Sequence, residues 1–161
     1  MTLKIAINGF GRIGRLALRS IMETGREGVE VVAINDLGPV ETNAHLVQYD
    51  SVHGRFPNEV KSTADTIDVG AGPIKVFAER DPSKLPWGDL GVDIVYECTG
   101  IFATRDKAAM HLDAGAKRVW SPHLLPALIR RSFLASITTV SPQLIRLCLM
   151  RLARQIASPR L

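Results

Sequence analysis

The sequence predicts a doubly wound α/β domain whose sheet is mainly parallel. Strand-like runs alternate with helical segments through residues 1–119, and glycines stand at the turns between them. The first strand, turn, helix and second strand fit within about thirty residues, the size of a β-α-β unit. Because such crossovers join parallel strands, we expect helices to cover both faces of the sheet.

The opening unit has the clearest pattern in the chain. The β-branched run "LKIAIN" stops at a glycine and predicts a buried strand. The segment "GRLALRSIMETG" has apolar residues at near-helical spacing, which predicts a helix that ends at Gly25. "VEVVAIND" then predicts the second buried strand.

The following segments continue the alternation. "ETNAHLVQYD" predicts a helix, whereas "EVKSTADTIDVG" and "GPIKVFAE" predict shorter strands. "VDIVYECTG" predicts a buried strand, and "TRDKAAMHLDAG" predicts a helix that is capped by Thr104 and ends at Gly115. "AKRVW" begins one more strand.

The turn "INGFGRIGR" places three glycines in the G-x-G-x-x-G spacing between a strand and a helix. Gly9 permits the tight turn, Gly11 lets a pyrophosphate approach the backbone, and Gly14 lets the helix pack closely on the strand. The N–H groups at the helix start face the phosphates and are assisted by the helix dipole. This context predicts a Rossmann-type dinucleotide site.

Asp36 supplies the acidic residue that the fingerprint requires after the second strand. A carboxylate there accepts hydrogen bonds from the ribose hydroxyls of the adenosine and repels a 2′-phosphate, which favours NAD over NADP. FAD uses the same fingerprint and stays open at this point. A purely structural interpretation is that the glycines only end elements and that Asp36 caps a loop.

The composition changes sharply near Trp120. Residues 1–120 contain all 13 glycines and all 16 acidic residues, with 14 Lys and Arg, so their net charge is −2. Residues 121–161 contain six Arg and nine Leu but no Gly, Asp, Glu or Lys. The overall net charge of +4 therefore comes from the tail. Cys98 and Cys148 have neither metal-ligand nor disulfide spacing, and we expect no metal site and a cytoplasmic protein.

Four segments together resemble one enzyme family far more specifically than the glycine turn does. They are "KIAINGFGRIGR", "VVAINDLGPVETNAHLVQYDSVHGRF", "KLPWGDLGVDIVYECTGIF" and "HLDAGAKRV". Residues 2–119 resemble the N-terminal, NAD-binding half of phosphorylating, bacterial-like glyceraldehyde-3-phosphate dehydrogenase. The resemblance implies a truncated Rossmann-type sheet without the family's catalytic domain, and NAD as the cofactor.

The resemblance also implies roles for individual residues in cofactor binding. Arg12 and Ile13 would offer backbone N–H groups to the pyrophosphate, and Asp36 would bind the adenosine ribose. The main chain of Arg80 would lie beside the adenine, and the turn at Thr99 and Gly100 would line the adenosine side of the cofactor.

Two phenylalanines and several titratable residues complete the candidates. Phe10 and Phe102 resemble apolar residues of the cofactor pocket, with core packing as the alternative for Phe102. His45, His53 and His111 invite a catalytic interpretation because imidazole titrates near neutrality, but a structural role is favoured for His53. Cys98 ends an apolar strand, where a thiol usually packs as a small hydrophobic group.

The chain departs from the family after Val119. The family continues with a leucine and V-S-A-P, and its nucleophile follows in S-N-A-S-C-T-T-N-C. If that continuation is encoded as ctg gtc tcc gca cct, loss of its first base gives W-S-P-H-L, and with one choice of codons "CLMRLARQIASPR" reads as the nucleophile motif in the neighbouring frame. We therefore interpret residues 120–161 as an out-of-frame tail that follows an NAD-binding domain at 1–119.

The predicted function is an NAD-binding fragment without dehydrogenase activity, because the chain lacks the catalytic Cys/His motif and the substrate domain of the family. Family members form homotetramers, and the resemblance makes no prediction for the assembly of this chain. The alternative is an interaction protein whose tail forms a basic amphipathic helix that binds anionic membrane or nucleic acid. We expect neither a membrane nor a nucleic-acid partner, because the frame-shift explains the tail.

Overall fold

A computed structural model describes residues 2–25, 27–102 and 104–121 of the chain. Its strands are β1 Leu3–Asn8, β2 Val29–Asn35, β3 Tyr49–Asp50, β4 Gly54–Arg55, β5 Lys61–Ser62, β6 Thr66–Asp68, β7 Pro73–Phe77, β8 Ile94–Glu97 and β9 Arg118–Trp120. Its helices are α1 Arg12–Glu23, α2 Val40–Gln48 and α3 Arg105–Asp113, and a short 3-10 helix spans Pro82–Lys84.

Seven strands form one sheet in the order β5-β6-β7-β2-β1-β8-β9. Pairing is parallel from β7 through to β9, whereas β5 and β6 extend the sheet in antiparallel orientation. The chain leaves β1 for β2 on one side and returns to β8 on the other. The strand order therefore reverses at β1, and the crevice at the carboxyl ends of β1 and β8 is where such sheets bind ligands. The doubly wound, mainly parallel fold is confirmed.

The side chains of β1 lie in two apolar clusters, one on each face of the sheet. Ile5 and Ile7 belong to the larger apolar cluster, and Ala6, which points the other way, belongs to the smaller one. Alternate side chains of a strand point to opposite faces, so a continuous apolar run indicates a strand covered on both sides. Trp87 is the largest side chain of the smaller cluster and is fully buried.

Three segments differ from the sequence-based expectations. Helix α2 ends at Gln48, because Tyr49 and Asp50 pair with β4 instead of continuing the helix. The predicted strand over "EVKSTADTIDVG" is two short strands, β5 and β6, which pair with each other as a hairpin. Thr104 does occupy the N-cap of α3, but its side chain makes no capping hydrogen bond.

Strand β9 pairs in parallel with β8 and includes Trp120, whose ring centroid lies 5.0 Å from that of Tyr96. The predicted out-of-frame tail and its proposed amphipathic helix, with Cys148, fall almost wholly outside the described residues. None of the described helices is long and apolar enough to cross a bilayer.

Candidate functional site

The glycine turn lies at the carboxyl end of β1, at the point where the strand order reverses. Gly9 adopts a φ of +86°, a left-handed conformation that favours glycine. A Cβ added at Gly9 would lie 2.7 Å from the backbone nitrogen of Thr99 and 2.6 Å from its Cγ2. The turn after β1 therefore packs directly on the turn after β8, and only a glycine allows that approach.

The other two glycines differ in how closely their surroundings approach them. A Cβ on Gly14 would collide with the carbonyl oxygen of Gly9 and would lie 3.1 Å from Cγ2 of Ile7, so Gly14 lets α1 pack against β1. Gly11 is exposed, and a Cβ there would meet no protein atom within 4 Å. The described fold gives no steric reason for a glycine at this position. A phosphate close to the backbone would provide one.

Helix α1 begins immediately after Gly11 and directs its first turn at this crevice. The first N–H groups of a helix, including those of Arg12 and Ile13, have no carbonyl partner within the helix. The first turn of α1 contains no acidic residue that would compete with an anion. This helix end therefore has the chemistry of a pyrophosphate site.

Asp36 follows β2 and lies beside the glycine turn. Its Oδ2 accepts a hydrogen bond of 2.8 Å from the backbone N–H of Phe10. Its Oδ1 accepts hydrogen bonds from the backbone N–H of Gly38 at 2.8 Å and from the side-chain amide of Asn43 at 3.3 Å. A carboxylate has about four lone-pair sites, so these contacts orient Asp36 and leave acceptor capacity for a ribose hydroxyl.

The remaining predicted cofactor residues occupy two neighbouring loops. The side-chain amide of Asn35 donates to the carbonyl of Glu79 and accepts from its N–H, both at 2.8 Å, which fixes the segment that contains the exposed Arg80 beside the end of β2. Thr99 and Gly100 form the turn after β8, and Gly100 has a φ of +75°. The structure thus brings the predicted residues to the same edge of the sheet.

The two phenylalanines lie in different environments. The side chain of Phe10 is fully buried in the larger apolar cluster, and its backbone N–H and carbonyl oxygen bond to Asp36 and Arg15 at the glycine turn. Its place in the wall of the cofactor pocket stays a prediction. Phe102 is half-buried, and its ring contacts His111 edge-on with a centroid separation of 6.2 Å.

Two arginines place positive charge near the glycine turn. Arg15 donates to the carbonyl oxygen of Phe10 at 2.9 Å. Burial lowers the pKa of Arg15, although the charges of Asp36 and Asp50 oppose that effect. Arg12 is half-exposed, and its guanidinium lies 3.9 Å from Asp50. Arg12 is therefore the more accessible cation beside the predicted pyrophosphate site.

Asp50 and His53 form a local turn and not a catalytic pair. Asp50 Oδ1 accepts from the backbone N–H groups of Val52 and His53, at 2.9 and 2.8 Å, and lies 3.2 Å from His53 Nδ1. Burial tends to raise the pKa of Asp50, but these hydrogen bonds and Arg12 lower it to about 2. The structural interpretation of His53 agrees with this geometry.

Cys98 and His45 show no activating environment. Cys98 is buried, and that burial, with the adjacent charge of Glu97, raises the pKa of its thiol to about 12. A thiol with that pKa stays protonated near neutral pH and is a poor nucleophile. His45 stacks against Tyr49 with a centroid separation of 4.9 Å. Within the described residues, no group of three or more His, Cys, Asp or Glu side chains is arranged to hold a metal ion.

Sequence reasoning missed a buried polar network beneath the site. Glu97, at the end of β8, is fully buried and accepts hydrogen bonds from Asn8, His111 and Thr99. Trp87 donates from its indole nitrogen to His111 Nδ1 at 3.1 Å. The network links the end of β1, the end of β8 and α3 beneath the glycine turn and the Thr99–Gly100 turn.

One sequence signal could have indicated this network. The apolar runs of β1, β2 and β8 each end in a polar residue, namely Asn8, Asn35 and Glu97. The carboxyl ends of parallel strands meet at one edge of the sheet, so polar groups that end buried strands are expected to come together. The position of His111 on a distant helix was not available from that pattern.

Comparisons with known proteins agree with this geometry. Residues 3–105 match the family model described as "Glyceraldehyde 3-phosphate dehydrogenase, NAD binding domain". The chain is 72% identical to glyceraldehyde-3-phosphate dehydrogenase of Xanthobacter flavus over 119 residues, which are 74% of this chain and 36% of that protein.

Other relatives show the same coverage. The enzyme of Cereibacter sphaeroides is 67% identical over 119 residues, 74% of this chain and 35% of that protein. That of Thermotoga maritima is 60% identical over 116 residues, 72% of this chain and 35% of that protein. The matched part of the chain therefore spans about a third of the length of these relatives.

Proposed function

Because this chain belongs to the glyceraldehyde-3-phosphate dehydrogenase family and contains its NAD-binding domain, we propose that it binds NAD across the carboxyl ends of β1 and β8. The pyrophosphate would lie on the N–H groups of Arg12 and Ile13, beside Gly11. Asp36 would accept hydrogen bonds from the adenosine ribose. Arg80 and the turn at Thr99 and Gly100 would border the adenosine.

This proposal rests on one combined observation: the space beside Gly11 and the fixed orientation of the Asp36 carboxylate occur at the same turn. Gly11 leaves room for a ligand atom, because no atom of residues 2–25, 27–102 or 104–121 lies within 4 Å of its Cβ position. Asp36 is held by Phe10 and Gly38, so that its carboxylate is preorganised and needs little reordering when a ribose arrives. A purely structural cap would not require the open glycine.

We further propose that the chain, as it stands, binds NAD weakly and does not oxidise aldehydes. The family's reaction uses a thiol nucleophile that is activated by a neighbouring base. Cys98 is buried and has a raised pKa, which makes it unsuitable for that role. The adenosine and pyrophosphate contacts alone support an affinity near millimolar, or about 4 kcal/mol of binding free energy. We also propose that the protein is cytoplasmic.

A titration of the full chain with NAD tests the binding proposal. Asp36→Ala removes the ribose acceptor and is expected to weaken binding about tenfold or more, as expected for a hydrogen bond to a charged group. Gly11→Ala is the matched variant for the phosphate side, because its Cβ would meet no atom of the described residues. Gly11→Ala should retain the melting temperature and lose NAD binding.

Two results would contradict the binding and activity proposals. Unchanged NAD affinity in both variants would place the cofactor elsewhere or show that it does not bind. Formation of NADH above blank, dependent on both aldehyde and phosphate, would overturn the predicted inactivity. A fluorescence titration and a single-turnover assay provide the two measurements.

We propose that residues 120–161 are an out-of-frame translation of the family's own coding sequence. The composition changes at residue 120, and the similarity to relatives extends over 116 to 121 residues, about the length of the segment before that change. Resequencing the coding DNA across codons 118–122 tests the proposal. An additional base that restores R-V-L-V-S-A-P would make the parent product a full-length dehydrogenase, whereas the same gap in genomic DNA would make the chain a nucleotide-binding remnant. A gene whose restored frame does not continue the family's sequence would overturn the proposal.

A further inference from the structure

In the buried network beneath the site, the donor and the acceptor of each hydrogen bond can be assigned from one end to the other. Asn35 accepts from the N–H of Glu79 and donates from Nδ2 to Asn8 Oδ1 at 2.7 Å. That contact fixes the amide of Asn8, whose Nδ2 therefore points to Glu97 Oε2. Thr99 donates to Glu97 Oε1 from its backbone N–H at 2.8 Å and also from its hydroxyl.

The other end of the network determines the tautomer of His111. An indole N–H only donates, so the Nδ1 of His111 that faces Trp87 at 3.1 Å accepts and carries no proton. The proton of the imidazole is then on Nε2, which lies 3.0 Å from Glu97 Oε2. His111 is therefore a neutral donor and does not form an ion pair with Glu97. Asn8 Nδ2 and His111 Nε2 lie 3.4 Å apart because both donate to Oε2 of Glu97.

Among the described residues, each partner of Glu97 is thus a donor. Oε2 accepts from Asn8 and His111, and Oε1 accepts from the backbone N–H and the hydroxyl of Thr99. The carboxylate is completely buried, and its negative charge is compensated by these neutral donors. Thr99, which Glu97 holds through two hydrogen bonds, is the residue that packs against Gly9. Asn8 directly precedes Gly9 in the chain. One carboxylate therefore holds the turns on both sides of the crevice.

We propose that Glu97 is a positioning residue of the NAD site, which sets the spacing of the Gly9 and Thr99 turns and accepts only as a carboxylate. This inference rests on the proposed function, because its readout is NAD affinity. It assigns Trp87 a matching role: the indole N–H keeps His111 in the tautomer that donates to Glu97.

Glutamine is nearly isosteric with glutamate but does not fit this pattern of donors. Its NH₂ group would face either the Thr99 backbone N–H or the donors Asn8 and His111. His111 could accept from that NH₂ only if its proton moved to Nδ1, where the Trp87 N–H points. Replacing Trp87 with phenylalanine removes that obstacle. The pattern therefore predicts that Trp87→Phe restores part of the NAD affinity that Glu97→Gln removes.

The test compares NAD affinity in four full-length variants with the unsubstituted chain. Glu97→Gln is expected to weaken NAD binding about tenfold, the scale of a buried donor left without an acceptor. Trp87→Phe alone should change affinity less, and the double variant should bind NAD more tightly than Glu97→Gln. Asp93→Asn is the matched control, because this acid lies just before the same strand, and its affinity should be unchanged.

Nitrogen-15 NMR of His111 provides a second readout that does not depend on NAD. The unsubstituted chain and Glu97→Gln should carry the proton on Nε2, and the double variant should carry it on Nδ1. A proton on Nδ1 in the unsubstituted chain would overturn the proposal, as would additive losses in the double variant. Unchanged affinity in Glu97→Gln would overturn the positioning role only, whereas an unsubstituted chain that does not bind NAD would refute the proposed function itself.

Discussion

Two acidic residues at opposite ends of β8 show how differently one fold stabilises a negative charge. Asp93 precedes the strand near the surface, where Oδ1 lies 2.7 Å from the ammonium of Lys117 and Oδ2 accepts from the backbone N–H of Lys4 at 2.9 Å. Glu97 ends the strand in complete burial, and its described partners are neutral donors.

The pKa of each carboxyl group is lowered, but for different reasons. For Asp93, the hydrogen bonds from Lys117 and Lys4 lower the pKa more than burial raises it. For Glu97, burial has the largest effect and raises the pKa, yet the hydrogen bonds from His111, Thr99 and Asn8 together lower it. A charge at the cofactor edge thus depends on oriented dipoles, whereas the one at the opposite edge depends on an exposed cation that salt screens.

The largest effect is expected when the buried acceptor is removed. Glu97→Ala leaves the donors of Asn8, His111 and Thr99 without a partner in a buried site. Each unsatisfied buried donor costs about 1–3 kcal/mol, so we expect a loss of about 3 kcal/mol or more in the free energy of unfolding. Urea denaturation measures it, with Asp93→Ala as control. Similar losses in the two variants would remove the distinction between the two ends of β8.

A smaller effect is expected from acid, which protonates Glu97 and removes its charge. The folded-state pKa of Glu97 is lower than its ordinary value of 4.5, so its contribution is complete above that value and is lost as the pH falls through the folded-state pKa. Urea denaturation at several pH values between about pH 6 and pH 3, a range that spans the ordinary pKa of a glutamate, measures this loss of stability. Glu97→Gln, which does not titrate, should have a shallower acid decline. An equal decline in both proteins would contradict the prediction.

The smallest effect is expected at the surface pair. Lys117 is 70% exposed, and an exposed ion pair contributes about 0.2–1 kcal/mol. Asp93→Asn keeps an oxygen that can accept from Lys4, so the free energy of unfolding should fall by about 0.5 kcal/mol or less. High salt should abolish most of the difference. A loss that persists in high salt would show that Asp93 has a larger structural role than its exposed partner indicates.

The parts of the fold that depend on local pattern were predictable from the sequence. The apolar runs of β1 and β2, with a glycine turn and the amphipathic α1 between them, specify a β-α-β unit without knowledge of the rest of the chain. Gly9, Gly11 and Gly14 follow from the same pattern. The close contacts at Gly9 and Gly14 agree with the turn and packing roles that the fingerprint assigns to them, whereas the role of Gly11 at a pyrophosphate stays a prediction.

What could not be predicted depends on contacts between distant residues. Tyr49 and Asp50 leave the helix because β4 is available to pair with them. His111 reaches Glu97 only because α3 packs against β9, the neighbour of β8 in the sheet, and its tautomer depends on Trp87, which lies 24 residues away in the chain. The complete burial of the Phe10 side chain likewise depends on the packing of the apolar cluster around it.

The fixed direction of the network also determines how protons behave at this edge of the sheet. A proton relay needs groups that can both release and receive a proton, but the network ends in the indole of Trp87 and the amide of Asn35, which exchange no protons near neutral pH. Protons therefore have no route out of the network at Trp87 or at Asn35. The Thr99 hydroxyl, which donates to Glu97 and accepts from the backbone N–H of Ile101, is a separate branch. Near neutral pH, the charge of Glu97 is a constant electrostatic background for any ligand in the crevice.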